Sequence, residues 1–208
     1  MNSVLLTGSN RGLGLEWVRQ LAAAGWRVYA TCRFPDRADD LQRLKSENPK
    51  VSVHRLDVTE PDQVREMAVQ LGDRPLDVLI NNAGVYRERW GKDQFGRIDY
   101  ADWLDTFAVN TLGAVRLSEA LVDSLARSER RLLIAISSHM GSIADIGAPN
   151  DYAYRSSKAA LNAAMKGISL DLARRGIGVL ILHPGWVRTR MGGDLSLIHI
   201  SEPTRPKR

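Results

Sequence analysis

Tyr154 and Lys158 stand four residues apart in the run Tyr154-Arg155-Ser156-Ser157-Lys158. A helix through that run puts a phenol and an ammonium on one face, one turn apart. A free phenol titrates near 10 and is a poor base at neutrality, whereas a nearby cation favours the phenolate and brings it into range for proton transfer. Such a pair is common on helix surfaces, so its meaning comes from its surroundings. Tyr152 lies six residues from Lys158 and falls on another side of the same helix. Near the N-terminus, Thr7-Gly8-Ser9-Asn10-Arg11-Gly12-Leu13-Gly14 forms a G-x-x-x-G-x-G turn between a β-branched run and an amphipathic stretch. Glycines there let the backbone approach a pyrophosphate, whose charge then sits at the positive end of the next helix. Glycines in a strand-to-helix turn also serve purely structural ends, so the turn alone decides little.

Other reactive side chains read as bystanders. His139 and His183 are far apart in sequence, and no cysteine or acidic cluster stands at ligand spacing, so no metal is expected. Ser137-Ser138-His139 lacks the G-x-S-x-G of a hydrolase nucleophile. Cys32, the single cysteine, reads as a small buried strand residue. Trp17, Trp26, Trp90, Trp103 and Trp186 read as packing residues more than as a binding box, and of them Trp90 and Trp186 alone fall on loops expected to face a substrate.

The elements that must position these groups alternate. Short apolar runs at Ser3 to Leu6, Arg27 to Thr31, Val51 to Leu56, Asp77 to Ile80, Leu132 to Ile136 and Ile177 to Leu182 are separated by stretches of helical period. That order predicts one α/β domain: a doubly wound parallel sheet (Rossmann fold) in three α/β/α layers. Leu15, Val18, Leu21 and Ala22 share a helix face that Gly25 ends, and Thr59, Pro61 and Asp62 are read as the cap and first turn of another helix. The longest helix, roughly Asp102 to Ala126, carries a stripe of Trp103, Phe107, Asn110, Ala114, Leu117, Leu121 and Leu125. Its one polar member, Asn110, must find partners if buried. Leu161, Ala164, Met165, Ile168 and Leu172 repeat the pattern on the helix after Tyr154, which is expected to stop at Gly176.

Apolar residues at 44% and charged residues at 25% set the chain among folded globular proteins rather than disordered ones. The net charge of +5 includes +2 from the last fourteen residues, where Arg205, Lys207 and Arg208 outweigh Glu202. The remaining +3 is dispersed among acids, so no nucleic-acid footprint is expected. No stretch reads as a secretory signal or a membrane span, which points to a cytoplasmic protein without a membrane partner.

Taken together, the glycine turn, Asn81-Asn82-Ala83-Gly84 after the fourth strand, Ser137-Ser138 after the fifth, and Tyr154 with Lys158 resemble the short-chain dehydrogenase/reductase family from Met1 to about Gly193. The stretches Ala30-Thr31-Cys32-Arg33 and His183-Pro184-Gly185-Trp186-Val187-Arg188-Thr189 are similar to its carbonyl-reductase-like branch, which includes sniffer-type and C-factor-type proteins. The resemblance implies an oxidoreductase moving a hydride between a nicotinamide and a small carbonyl or secondary alcohol. Tyr154 would exchange the proton. Lys158 would lower its pKa and hold the nicotinamide ribose. Ser138, with Ser137 as the neighbouring alternative, would bond the substrate oxygen, and Asn110, at a break in its helix, would help hold a water linked to the lysine. Gly8, Ser9, Asn10, Arg11, Gly12, Leu13 and Gly14 would hold the phosphates, Asp57 and Val58 the adenine, Asn82, Ala83 and Gly84 the adenosine and ribose, and Pro184, Gly185, Val187 and Thr189 the nicotinamide amide. Where NAD-selective sites place an acid, this chain has Cys32 followed by Arg33; with Arg11 these guanidinium groups favour the 2′-phosphate of NADP over NAD. The resemblance also implies homodimers or homotetramers built on the Asp102 and Tyr154 helices. A contrasting reading is an NADP(H)-sensing or signalling protein without significant turnover, and a third is an inactive fragment.

Residues 195–208 are read apart from the domain of residues 1–194. Leu195 to Arg205 resembles the conceptual translation of a sequencing adapter, and family likeness stops near Gly193, where a further helix and strand would follow. The expectation is a C-terminally truncated product whose sheet lacks its last strand and leaves Ile177 to Leu182 as an apolar edge. Arg190 stands where this branch is expected to carry an acid.

Overall fold

The computed structural model describes residues 1–88, 94–187, 189 and 191. Trp90, Arg188, Arg190 and the expected tail of residues 195–208 lie outside the described residues. Among the described residues six strands, β1 (Ser3–Thr7), β2 (Arg27–Cys32), β3 (Val51–Arg55), β4 (Val78–Asn81), β5 (Leu132–Ile136) and β6 (Gly178–Leu182), form one sheet in the order β3-β2-β1-β4-β5-β6. All five pairings are parallel, with Leu5 opposite both Tyr29 and Leu79 at the centre. The chain runs outward from β1 through β2 to β3, then returns to the other side of β1 as β4. That reversal opens a crevice at the carboxyl ends of β1 and β4, the place where a doubly wound sheet takes its ligand.

Central strands read as unbroken apolar runs because both faces are covered. Val4 and Leu6 point to one face and join Val18, Leu41 and Ile134, beneath α1 (Gly12–Ala23) and α2 (Asp39–Glu47). Leu5, one residue out of phase, points to the other and joins Met67, Leu121, Leu161 and Met165, beneath α3 (Pro61–Leu71), α5 (Ala114–Ala126) and α6 (Tyr152–Ala173). These are the three expected layers. Among the described strands β6 is an edge, and Leu180 and Ile181 are exposed on it.

Three local expectations need correction. The single long helix that periodicity predicts is divided, at the break the resemblance implies for Asn110: α4 (Tyr100–Phe107) passes into a π-turn over Ala108–Gly113 before α5 begins. The wider turn lets adjacent residues serve α6 together, for Asn110 and Thr111 are both buried and both bond Ser157. Helix α6 starts at Tyr152 and ends at Ala173, and Gly176 takes the left-handed turn (φ 68°) beyond it. Thr59 does not cap α3; Glu60 occupies the cap position, and the Thr59 hydroxyl donates to Asp57 Oδ1 at 2.7 Å.

Candidate active site

The crevice is built first by backbone. Thr7 Oγ1 accepts the amides of Asn82 at 3.0 Å and Ala83 at 2.9 Å, and Asn82 Nδ2 donates to the Thr7 carbonyl at 2.9 Å. The ends of β1 and β4 are thereby locked together, and the contact leaves no room for side chains between them. Gly8 sits at φ 68°, and a Cβ there would lie 3.0 Å from Ala83 Cα; a Cβ on Gly14 would lie 2.1 Å from the Gly8 carbonyl oxygen. Only glycine fits at these two positions. The amino end of α1 then opens toward the crevice with extended Arg11 at its cap position, no side-chain cap and no acid in its first turn. Unsatisfied amides and a positive helix terminus make such an end suited to a phosphate.

A cavity of about 580 Å³ runs over the carboxyl ends of β1, β2, β4 and β5. Of the residues expected to hold a dinucleotide, Gly8, Asn10, Arg11, Gly12, Leu13, Gly14, Arg33, Asp57, Val58, Asn82, Ala83, Gly84, Tyr154, Lys158, Pro184 and Thr189 border it. The glycine cradle, the helix end and two guanidinium groups fit a pyrophosphate-bearing cofactor with an additional phosphate. Ser9 corrects the expectation. It is fully buried, its hydroxyl donates to the Leu6 carbonyl at 2.8 Å, and its amide donates to the Thr31 carbonyl at 3.0 Å. It therefore fastens β1 to β2 instead of facing the cavity. Gly185 and Val187 also do not border the cavity; Val187 is buried and Gly185 makes a left-handed turn (φ 80°). Their segment still folds over the glycine turn, since a Cβ on Gly12 would meet Thr189 Cγ2 at 3.5 Å.

At the carboxyl end of β5, Tyr154, Lys158 and Ser138 converge. The Ser138 hydroxyl acts on the Tyr154 phenol and favours its ionised form. Ser137 borders the cavity, but its hydroxyl is committed, donating to Asn162 Oδ1 at 2.6 Å. Lys158 is 5% exposed, donates from Nζ to the Ile136 carbonyl at 2.8 Å, and lies 5.9 Å from the centre of the Tyr154 ring. Burial pulls its pKa from 10.5 to about 8. The expected depression of Tyr154 by Lys158 is not what this arrangement produces. Burial pushes the phenol above its ordinary value, and the Ser138 hydroxyl acts against that rise. The desolvation that weakens the lysine as a cation also holds the tyrosine in its protonated form.

Asn110 lies at the break in its helix, but its amide is occupied. Oδ1 accepts the Val85 amide at 2.8 Å, while Nδ2 donates to the Val85 carbonyl at 2.9 Å and to Ser157 Oγ at 3.0 Å. It joins the loop after β4 to the residue beside Lys158, within 3.3 Å of a Cβ on Gly84. Tyr152 packs against Trp103 of α4, with ring centres 6.4 Å apart, and takes no part in the crevice. Trp186 is half exposed. His139 and His183 do meet, the His139 amide donating to His183 Nδ1 at 3.1 Å, with Asp145 3.2 Å from His139. Among the described residues no three ligand-type side chains gather as a metal set, and no helix among them is long and apolar enough to cross a membrane.

Reasoning from the sequence missed Thr7, Tyr86 and Glu88. Thr7 opens the glycine turn and could have been suspected from its place there. The Tyr86 ring lies 4.5 Å from that of Tyr154, centre to centre, and borders the cavity.

Comparison with known proteins agrees with this geometry. The short chain dehydrogenase family matches residues 2–197. The chain is 44% identical to C-signal of Myxococcus xanthus over 130 residues, 62% of this chain and 76% of that protein. Among solved structures it is similar to NADPH-bound carbonyl reductase from chicken fatty liver (TM-score 0.88, 35% identity, covering 96% of this chain and 86% of the other). It is also similar to carbonyl reductase Sniffer of D. melanogaster (TM-score 0.88, 33% identity, 96% and 87%).

Proposed function

The chain belongs to the short-chain dehydrogenase family, as an NAD(P)-dependent oxidoreductase of the carbonyl-reductase-like kind, and on that premise we propose that it uses NADP(H) to interconvert a small carbonyl compound and its secondary alcohol, with Tyr154 exchanging the proton. The observation that carries this reading is the phenol of Tyr154, with Lys158 Nζ 5.9 Å from its ring centre, both bordering a cavity floored by a glycine cradle.

The nicotinamide, when bound, supplies or receives the hydride. The remaining work falls to the chain. In this reading Ser138 and Tyr154 hold one carbonyl oxygen between two hydroxyls, which orients the carbon and stabilises charge that develops on the oxygen. Tyr154, kept protonated by burial, suits the donor role in the reducing direction. Lys158 offers an ammonium near the ring that offsets the charge left when the proton departs. Asn110 keeps the Gly84–Val85 backbone and Ser157 in register, so the cavity wall and the lysine's helix move as one piece. Arg11 and Arg33, both on the cavity wall, support the choice of NADP over NAD by pairing with its extra phosphate. Exposed Leu104 and Leu112, on α4 and the π-turn, support a homodimer or homotetramer built through that face.

The test is oxidation of NADPH and NADH across aliphatic and aromatic aldehydes and ketones. The parent chain is expected to prefer NADPH, and Tyr154→Phe still to bind it while kcat falls at least about 100-fold. Equal turnover in Tyr154→Phe would remove the assigned acid, and tight NADPH binding with no turnover on any carbonyl would favour a sensing role.

A further inference from the structure

Helix α6 carries both Tyr154 and Lys158, yet its amino end is built in an unusual way. Asn150 and Asp151 enter it with φ of 73° and 58°, a left-handed backbone that residues with a Cβ adopt at a cost. Asp151, at the cap position, makes no cap bond. Its carboxylate instead accepts the hydroxyl of Tyr86 at 2.5 Å. The task of capping passes to a residue 65 positions away: Glu88 accepts the amide of Ala153 with Oε1 at 2.8 Å and the amide of Tyr154 with Oε2 at 2.7 Å. Glu88 is 3% exposed. A carboxylate survives at such depth when its oxygens are bonded by donors and it faces the positive end of a helix.

The segment that delivers Glu88 is held at each residue. Val85 is gripped on both backbone atoms by Asn110. The ring of Tyr86 lies against Tyr154 while its hydroxyl holds Asp151. Arg87 reaches Asp102 at 3.6 Å and Asp105 at 3.3 Å on α4. Residues 85–88 therefore form a strap from the end of β4 to the start of α6. The second turn of α6 is anchored separately, by Thr111 Oγ1 donating to the Ser157 carbonyl at 2.8 Å and by the Lys158 bond to Ile136. The two amides that Glu88 accepts belong to the first turn, which carries the phenol.

We propose that Glu88 is a positioning residue for Tyr154, which fixes the acid's place by holding its backbone amide and the one before it, and that kcat depends on this grip while cofactor affinity does not. The proposal rests on the oxidoreductase reading above. Its specificity follows from the two anchors. Losing Glu88 frees two buried amides that Asp151, committed to Tyr86, cannot satisfy, and the first turn shifts. Lys158 and the glycine cradle stay where they are. A misplacement of the reacting group by an ångström lowers rate by about two orders of magnitude.

The experiment compares Glu88→Gln, which keeps the reach and one good acceptor, with Glu88→Ala, which keeps neither, well below their melting temperatures. We expect kcat to fall about 10-fold in Glu88→Gln and about 100-fold in Glu88→Ala, with the NADPH dissociation constant within about twofold of the parent. Hydrogen exchange at the amides of Ala153 and Tyr154 is expected to quicken in the same order, with exchange at Ser157 and Lys158 unchanged. The proposal is overturned by a kcat in Glu88→Ala within threefold of the parent, by unchanged exchange at Ala153 and Tyr154, or by cofactor affinity falling in step with kcat. Absence of carbonyl reduction by the parent itself would instead overturn the oxidoreductase reading and with it the catalytic role of the grip, while exchange would still show whether Glu88 holds the helix.

Discussion

Lys158→Met should alter stability in a way that only a buried ammonium explains. The lysine is 5% exposed and its pKa falls from 10.5 to about 8. At 1.36 kcal/mol per pKa unit, charging it in the folded state costs about 3 kcal/mol relative to the unfolded chain. The sign follows from proton counting. Below pH 8 both states hold the proton and the penalty is fully present. Between pH 8 and 10.5 the unfolded state binds more protons, so stability rises with pH and the penalty disappears. Methionine fills a similar volume without charge, but leaves the Ile136 carbonyl without its donor, at a cost of about 1–3 kcal/mol. Lys158→Met should therefore be between neutral and about 2 kcal/mol more stable than the parent at pH 7, and that advantage should shrink by about 3 kcal/mol by pH 10.5. Tyr154 and Cys32, both raised by burial, cost stability as pH climbs past their ordinary values, but they are present in both proteins and largely cancel in the difference. Urea unfolding at half-unit steps from pH 7 to 10.5 reads this directly. A difference that stays flat to within about 1 kcal/mol would refute the buried-charge argument.

Ser138→Ala should lower kcat about 100-fold by removing one hydroxyl from the substrate oxygen, while Ser137→Ala, which loses only the bond to Asn162, should cost about 1 kcal/mol of stability and leave kcat within a few-fold; paired steady-state assays check both. Arg33→Ala should raise the NADPH dissociation constant about 10-fold, the loss of one charge-assisted bond, without changing that for NADH, as measured by fluorescence titration. Gly14→Ala should abolish binding of either cofactor in the same titration, because its Cβ would overlap the Gly8 carbonyl oxygen at 2.1 Å and force the cradle open.

How far the chemistry could be read in advance depended on how local its cause was. The glycine turn and the Tyr154–Lys158 spacing were legible because a turn and a single helical step lie within a few residues. The sheet was legible because strands covered on both faces must be apolar throughout. The π-turn at Ala108–Gly113 could not be read from periodicity, since a stripe of period 3.6 runs through Asn110 whether or not the helix widens there; the break at Asn110 was implied by the family resemblance alone. Ser9 was misplaced for a similar reason: neighbouring residues of one tight turn face opposite ways, and only the bond from Ser9 to Leu6 shows which way this one faces.

The direction of the Tyr154 shift was beyond pattern altogether. A lysine one turn away argues for a lowered phenol, but the same burial that brings the two together raises the phenol and lowers the ammonium. Burial is a property of the whole fold. Glu88 is the extreme case. In the sequence it is one charged residue in a loop, and its meaning depends on two amides 65 and 66 residues away. The catalytic side chains can be recognised by type and spacing because chemistry dictates both, whereas a group that holds them in place need only offer an acceptor at the right distance, and the fold is free to draw it from anywhere.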